Sequence, residues 1–425
     1  MRFYREGMMQ SICNSLRKAA IPLCGLLALA VSSCGGGGSG SGAGSTTQPL
    51  TVTEHVLYSF GGTSTDAMGP TGVLIQGIDS NFYGTTFRGG LAGCSNGAAT
   101  SDPFAIGCGT VFKISPAGEE TVLHVFAAAP ADGANPTVLI QGSDGNLYGT
   151  TASGGANNGG TVFKLTPEGV ETILYSFTAG SGRDSFGGGL VQGSDGNLYG
   201  TTGGGGANND GTVFKLTPQG VETVLYSFAG VPDGALPVGQ LVQGSDGNFY
   251  GVTNSGGQGV SHDGTEGGTV FKVTPEGIET ILHRFTGSDG ASPQAGLIQG
   301  IDGNFYGTTS GGNTTLGTVF ELTPEGVETT LHSFSGSDGA SPQGSLIQGS
   351  DGNFYGTTSG GGTNVSGTAF QLTPSGVLTA LYSFPGSSVP GPDTNLVQAS
   401  DGNLYGASFY DGAYNRGYFF GLVLK

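Results

Sequence analysis

The stretch Ser143-Asp144-Gly145-Asn146-Leu147-Tyr148-Gly149-Thr150 decides the architecture, because it returns along the chain intact or with one to three replacements. Its aspartate stands at Asp79, Asp144, Asp195, Asp246, Asp302, Asp351 and Asp401. A period of about fifty residues is that of a repeat array. A second block, Gly160-Thr161-Val162-Phe163-Lys164-Leu165-Thr166-Pro167-Glu168-Gly169, follows each first block, and a third, Val170-Glu171-Thr172-Ile173-Leu174-Tyr175-Ser176-Phe177, follows that. Each unit therefore holds four short β-prone runs: A (the Leu139-Ile140-Gln141 type), B (Leu147-Tyr148-Gly149-Thr150), C (161–166) and D (170–177). Asp-Gly-Asn between A and B and Pro-Glu-Gly between C and D are hairpin turns, in which glycine or asparagine supplies a positive φ. Four antiparallel strands repeated radially predict an all-β propeller of seven blades.

The chain ends test the count. The last unit, from Leu396, supplies A, B and a C strand over 417–424, then stops, while Thr53-Glu54-His55-Val56-Leu57-Tyr58-Ser59-Phe60 is a D strand standing before the first A. Joining the two completes the seventh blade and leaves no sheet edge open. A linear β-solenoid is the alternative.

Composition agrees. Of 425 residues, 86 are glycine and none is tryptophan. With only 19 prolines and no Gly-X-Y period, collagen is excluded, and 36% hydrophobic residues are enough for packed cores. Glycine at this level also disfavours long helices. The net charge is −18, and the 13 Lys and Arg form no cluster, which excludes nucleic acid as a partner.

The amino terminus reads as an address. Arg17 and Lys18 precede an apolar stretch, 19–31, that is too short to span a bilayer but suits a secretory signal. It ends in Val31-Ser32-Ser33-Cys34, which resembles the bacterial lipoprotein signal, in which the cysteine is lipidated and becomes the mature N-terminus. Gly35 after it resembles outer-membrane sorting. Residues 1–33 are thus expected to be a signal peptide, 34–50 a lipidated Cys34 with a Gly/Ser-rich tether, and 51–425 the propeller; translation from Met8 or Met9 leaves this unchanged. Cys94 and Cys108 lie in one long loop and are expected to pair in the exported compartment, as a staple rather than a redox centre.

The Asp-Gly-Asn-Leu-Tyr-Gly-Thr-Thr and Gly-Thr-Val-Phe-Lys-Leu-Thr-Pro-Glu-Gly blocks resemble the Gloeo-Verruco tandem-repeat family of exported bacterial proteins, over residues 53–425. The resemblance implies a location at the cell surface rather than an activity. The succession Asp-Gly-Asn-Leu-Tyr, then Thr-Pro-x-Gly-Val, is also similar to the repeats of streptogramin lyase propellers, which use a divalent metal with histidine and glutamate near the channel. The B strands here read Tyr-Gly-Thr-Thr or Tyr-Gly-Val-Thr, with no histidine or glutamate to carry over.

Alternation places the B–C and D–A connections on one face, and these vary whereas the A–B and C–D turns do not, so that face is the candidate functional surface. Its D–A loops carry Asp66, Asp132, Asp184, Asp233, Asp289, Asp338 and Asp393, either a ring of carboxylates at the channel mouth able to bind a hard cation or turn residues capping their own backbone. Gln76, Gln141, Gln192, Gln243, Gln299, Gln348 and Gln398 recur in strand A, where they line the channel for sugar hydroxyls or satisfy neighbouring backbone groups. His124, His283 and His332 replace the tyrosine of strand D and read as packing residues, while His262, Asp263 and Glu266, in an insertion, form a weak candidate metal set.

The resulting expectation is a lipid-anchored, monomeric envelope protein, exported to the outer membrane with its propeller facing the periplasm or the outside. It would act as a non-catalytic binding module for a protein or glycan. It requires no cofactor, with a divalent cation as an optional ligand. The alternatives are a metal-dependent lyase or lactone hydrolase acting at the channel mouth, and a structural surface protein.

Overall fold

The structure, a computed structural model, describes residues 52–63, 66–90, 107–128, 130–178, 188–258, 267–313, 315–386, 391–392 and 394–424. Among these there is no helix, and the strands form seven antiparallel blades. Blade 2 is the most regular, running Gly133–Gln141, Leu147–Gly154, Thr161–Leu165 and Glu171–Ser176 from axis to rim. Blade 1 occupies 67–125, and blades 3 to 6 occupy 190–227, 234–284, 298–333 and 340–383. Blade 7 is built from both ends of the chain, Val397–Gln398, Leu404–Ser408 and Tyr418–Leu424 taking Val52–Ser59 as their outermost strand in a register from Val52↔Leu424 to Ser59↔Tyr418. The closure predicted from the orphan D strand is the one observed.

The axis is held by the seven glutamines. Each donates its Nε2 to a carbonyl in its own A–B turn, as Gln243 does to Gly247 at 3.0 Å. Each also accepts, at Oε1, a backbone N–H from the preceding blade's A–B turn. The series runs Ile78 to Gln141, Ser143 to Gln192, Ser194 to Gln243, Ser245 to Gln299, Ile301 to Gln348 and Ser350 to Gln398, and Ser400 to Gln76 closes it. Both ends of every amide are thus spent within the ring, the second of the two roles open to these residues from sequence.

The hydrophobic core lies between blades rather than within them, one cluster per seam. The phenylalanine ending each D run packs on the phenylalanine of strand C in the next blade. The pairs Phe60–Phe112, Phe126–Phe163, Phe177–Phe214, Phe228–Phe271, Phe285–Phe320, Phe334–Phe370 and Phe384–Phe420 have centroids 5.0 to 5.3 Å apart, within the range of favourable aromatic pairs. Strand B carries glycine at its centre because that ring lies over it; a Cβ on Gly149 would stand 2.4 Å from Phe163 Cζ.

One segment departs from the expected loop. Gly133-Ala134-Asn135-Pro136 is not a turn but the start of the inner strand, with Gly133 opposite Gly154 and Pro136 opposite Thr151. The reason is a contact across the seam that four-strand counting could not reveal. Asn135 has φ 56° and donates its N–H to Cys108 O, and Gly69, Leu236, Ser292 and Ser341 repeat the positive φ and donate to Arg416, Asp210, Gly267 and Leu316. The proline that follows covers the glycine opening strand C of the preceding blade. At Gly317, φ is +109° and a Cβ would meet Thr309 O at 2.5 Å and Pro342 Cδ at 2.6 Å. Gly317→Ala should therefore destabilise the fold by about 2–4 kcal/mol, the scale of left-handed strain plus overpacking. Gly311→Ala, where a Cβ meets nothing within 4 Å, should change stability by less than about 0.5 kcal/mol in the same denaturant titration.

Candidate functional site

Strand D sets glutamate near its start and tyrosine or histidine four residues on, and the β-bulge between them turns the two to opposite faces of the blade. These are Glu54, Glu120, Glu171, Glu222, Glu279 and Glu328, with Tyr58, His124, Tyr175, Tyr226, His283, His332 and Tyr382. The turn from blade to blade brings the glutamate of one D strand beside the tyrosine or histidine of the blade before it. Tyr175 donates to Glu222 at 3.3 Å and Tyr382 to Glu54 at 2.9 Å, while His124 Nε2 lies 3.8 Å from Glu171 Oε2. Asp66, Asp132, Asp233, Asp289 and Asp338, the described D–A aspartates, join five of these seams.

The described aspartates are fastened at this outer rim, not ringed around the channel mouth. Asp66 accepts from Tyr58 Oη at 2.9 Å and from the N–H groups of Gly61, Gly62 and Ala67. Asp233 takes Tyr226 Oη and Ala229 N, Asp289 pairs with His283 Nε2 and takes Thr286 N and Oγ1, and Asp338 does the same with His332 and Ser335. Asp132 takes Ala127 N and Gly133 N, with His124 Nε2 at 3.6 Å. They stand there because each precedes the inner strand at the rim end of its crossing, so the axis is reached only at the glutamine some nine residues later, as between Asp132 and Gln141. The histidines are accordingly more than packing residues, although each also meets a phenylalanine edge-on, His283 with Phe285 at 4.9 Å.

The A–B aspartates are turn residues. Asp144 accepts from Asn146 N and Nδ2, Tyr148 Oη and Lys164 Nζ. Burial pushes its carboxyl up, but Lys164, Asn146 and Tyr148 outweigh that and hold it well below the usual range. Cys108 is buried. Cys34, Cys94, Asp184, His262, Asp263, Glu266 and Asp393 lie outside the described residues.

Burial dominates the electrostatics of the seams. It pushes Glu120 and Glu279 up to about 7, with Asp66 and Asp233 adding repulsion. Glu171 also rises to about 7, through burial and then Asp132. Burial acts upward on Asp132 too, but His124 and the N–H groups of Ala127 and Gly133 bring it below its ordinary value. The Oε1 atoms of Glu54, Glu120, Glu171, Glu222 and Glu279, and Nε2 of His124, are buried without a hydrogen bond. At the closing seam, between blades 7 and 1, the same arrangement opens into a cavity of about 420 Å³ lined by Tyr58, Asp66, Glu120, Val122 and Tyr414. Tyr414 is 53% exposed. The seam glutamates escaped sequence reasoning because each is unremarkable in its own strand; aligning the third blocks in columns would have exposed the Glu and Tyr/His pair.

The Gloeobacter/Verrucomicrobia repeat model matches residues 28–265 and 258–424. The chain belongs to that family. No curated protein sequence matches this member of the repeat family. Among solved structures it is similar to a streptogramin B lyase, with a TM-score of 0.60 and 16% identity over 88% of this chain and 98% of the lyase. It is also similar to the virginiamycin B lyase of Staphylococcus aureus, with a TM-score of 0.59 and 15% identity over 89% of this chain and all of the enzyme. At such identities the likeness is one of fold.

The raised glutamates make stability depend on pH. A carboxyl whose folded pKa lies above its unfolded value keeps an extra proton in the folded state, so stability falls as pH rises from about 4.5 through about 7 and stays reduced above. Glu120→Gln and Glu279→Gln should each recover on the order of 1–2 kcal/mol at pH 8 and nothing at pH 4.5. Urea midpoints across that range are the check.

Proposed function

We propose that this repeat-family propeller is a non-catalytic binding module of the cell envelope, tethered by lipid on Cys34 and engaging its ligand through the face that carries the B–C and D–A loops. One observation carries the reading: what recurs in every blade is consumed internally, and what differs is gathered in those loops. The axial glutamines, the A–B aspartates and the seam phenylalanines all have partners within the ring. By contrast, the B–C connection runs from six residues in blade 2, 155–160, to twenty in blade 1, 90–109. A rigid ring with variable loops is the usual basis of a recognition surface.

The cavity at the closing seam is the preferred point of contact. Tyr58 and Tyr414 offer aromatic faces and Asp66 and Glu120 offer acceptors, a combination suited to a polyhydroxylated ligand such as a glycan. The lyase likeness adds no catalytic residues to this surface. A disulfide between Cys94 and Cys108 is part of the proposal, as a staple for the longest loop of blade 1.

Two measurements test it. In a Gram-negative host, labelled palmitate should enter the wild-type chain and not Cys34→Ala, which should leave the membrane fraction; membrane retention of that variant would refute the anchor. Against a panel of envelope polysaccharide fragments, Tyr414→Ala should weaken binding at least tenfold, the scale of losing an aromatic contact. Equal binding by both proteins would move the contact elsewhere.

A further inference from the structure

We propose that His124, Asp132 and Glu171 form a binding site for a divalent metal ion of the zinc type on the outer seam between blades 1 and 2, and that His283, Asp289 and Glu328 repeat it between blades 4 and 5. The inference rests on seam geometry and is independent of the envelope reading. Neither site lies near the axis.

The first group is set apart by what it does not do. At the tyrosine seams a hydroxyl donates its proton to a carboxylate: Tyr58 to Asp66, Tyr175 to Glu222, Tyr226 to Asp233 and Tyr382 to Glu54. His124 makes no such bond. Its Nε2 stands 3.6 Å from Asp132 Oδ2 and 3.8 Å from Glu171 Oε2, too far for a hydrogen bond, and that nitrogen is buried without a partner, as is Glu171 Oε1. Ligand atoms about 2.0–2.1 Å from a tetrahedral zinc ion stand roughly 3.4 Å apart, so the gap in this seam is close to the one an ion fills. One ligand atom from each of the three residues lies within 4.8 Å of the others. Asp132 is oriented for the task by the N–H groups of Ala127 and Gly133, and the His124 side chain, 18% exposed, leaves solvent a path in. One imidazole with two carboxylates favours zinc or its first-row neighbours over calcium and magnesium, and water would take the fourth position.

The other histidine seams grade the claim. His283, Asp289 and Glu328 also bring their ligand atoms within 4.8 Å, but His283 Nε2 is already bonded to Asp289 at 2.9 Å and Glu328 Oε1 accepts from Thr330. An ion there must displace these bonds, so this site is the weaker. At the third, Leu378 stands where the other blades have glutamate, and His332 has Asp338 alone. It lacks a third donor and serves as an internal control. The ion would tie the D strand of blade 1 to that of blade 2, as a clasp at the rim.

The test is calorimetric titration of zinc chloride into the full-length chain, stripped by chelator, in a His262→Ala background that removes the insertion histidine. Two equivalents are expected, the first at least tenfold tighter than the second, with thermal midpoints that rise on zinc and do not rise on calcium or magnesium. His124→Tyr should abolish the tight step, His283→Tyr the weak one and His332→Tyr neither. Tyrosine is the native residue at this position in four blades, so these variants should fold, and circular dichroism checks it. Glu171→Gln provides a second lesion of the tight site, expected to weaken it at least tenfold. Absence of zinc binding at millimolar concentration, or a tight step that survives in folded His124→Tyr or is lost in His332→Tyr, would overturn the proposal.

Discussion

The contact on which the molecule depends is the one each blade makes with the next. A four-stranded sheet of 5- and 6-residue strands cannot bury its own faces, and here the phenylalanine that ends one blade is completed by the phenylalanine in strand C of its neighbour. This seam is hydrophobic in its middle layer, and polar groups at either end set its geometry. At the axis the glutamine amide bridges two A–B turns, and at the loop face a residue of positive φ donates to the preceding blade while its proline covers a glycine. Since every seam needs a partner on both sides, the ring must close, and the exchange of Val52–Ser59 into the last blade follows from that need.

Much of this was legible in the sequence because it repeats. Seven copies or close variants of Asp-Gly-Asn-Leu-Tyr-Gly located the hairpins and the orphan D strand located the closure, since turn chemistry and alternation are local properties. What local properties cannot show is which residues of neighbouring blades meet. Gly-Ala-Asn-Pro at Gly133 looks like a turn, yet it is strand, because Asn135, at positive φ, donates its N–H to the Cys108 carbonyl, one blade back. The same gap hid the seam clusters. Glu171 and His124 lie in different repeats, and only the rotation between blades brings them together.

That rotation also explains why the rim, not the channel, holds the unusual electrostatics. Near the axis the polar side chains are amides and the charges are in A–B turns, where aspartate has an asparagine, a tyrosine and, in blades 2 and 3, a lysine as partners. At the rim, two carboxylates from adjacent blades converge on a single proton donor. Where that donor is tyrosine the seam is bridged by its hydroxyl; where it is histidine the side chain is shorter and its reach differs.

The repeat thus separates tasks by position. Substitutions at the phenylalanine, glutamine and glycine positions would be felt in two blades at once, so the array holds them nearly constant. The rim position that alternates between tyrosine and histidine touches only its own seam, and the seam can absorb the change, because a hydroxyl, a hydrogen-bonded imidazole or an imidazole standing off from two carboxylates all fit the same backbone. A closed ring of near-identical units can therefore carry chemically distinct sites at its edge without altering the contacts that close it. The loops offer a second such freedom, since a cavity of about 420 Å³ lies at the closing seam, lined by both Tyr414 and Tyr58. Individuality in this protein arises where the sevenfold pattern is interrupted, at Leu378, at His124 and at the closing seam, and those interruptions are where chemistry specific to one blade has room to occur.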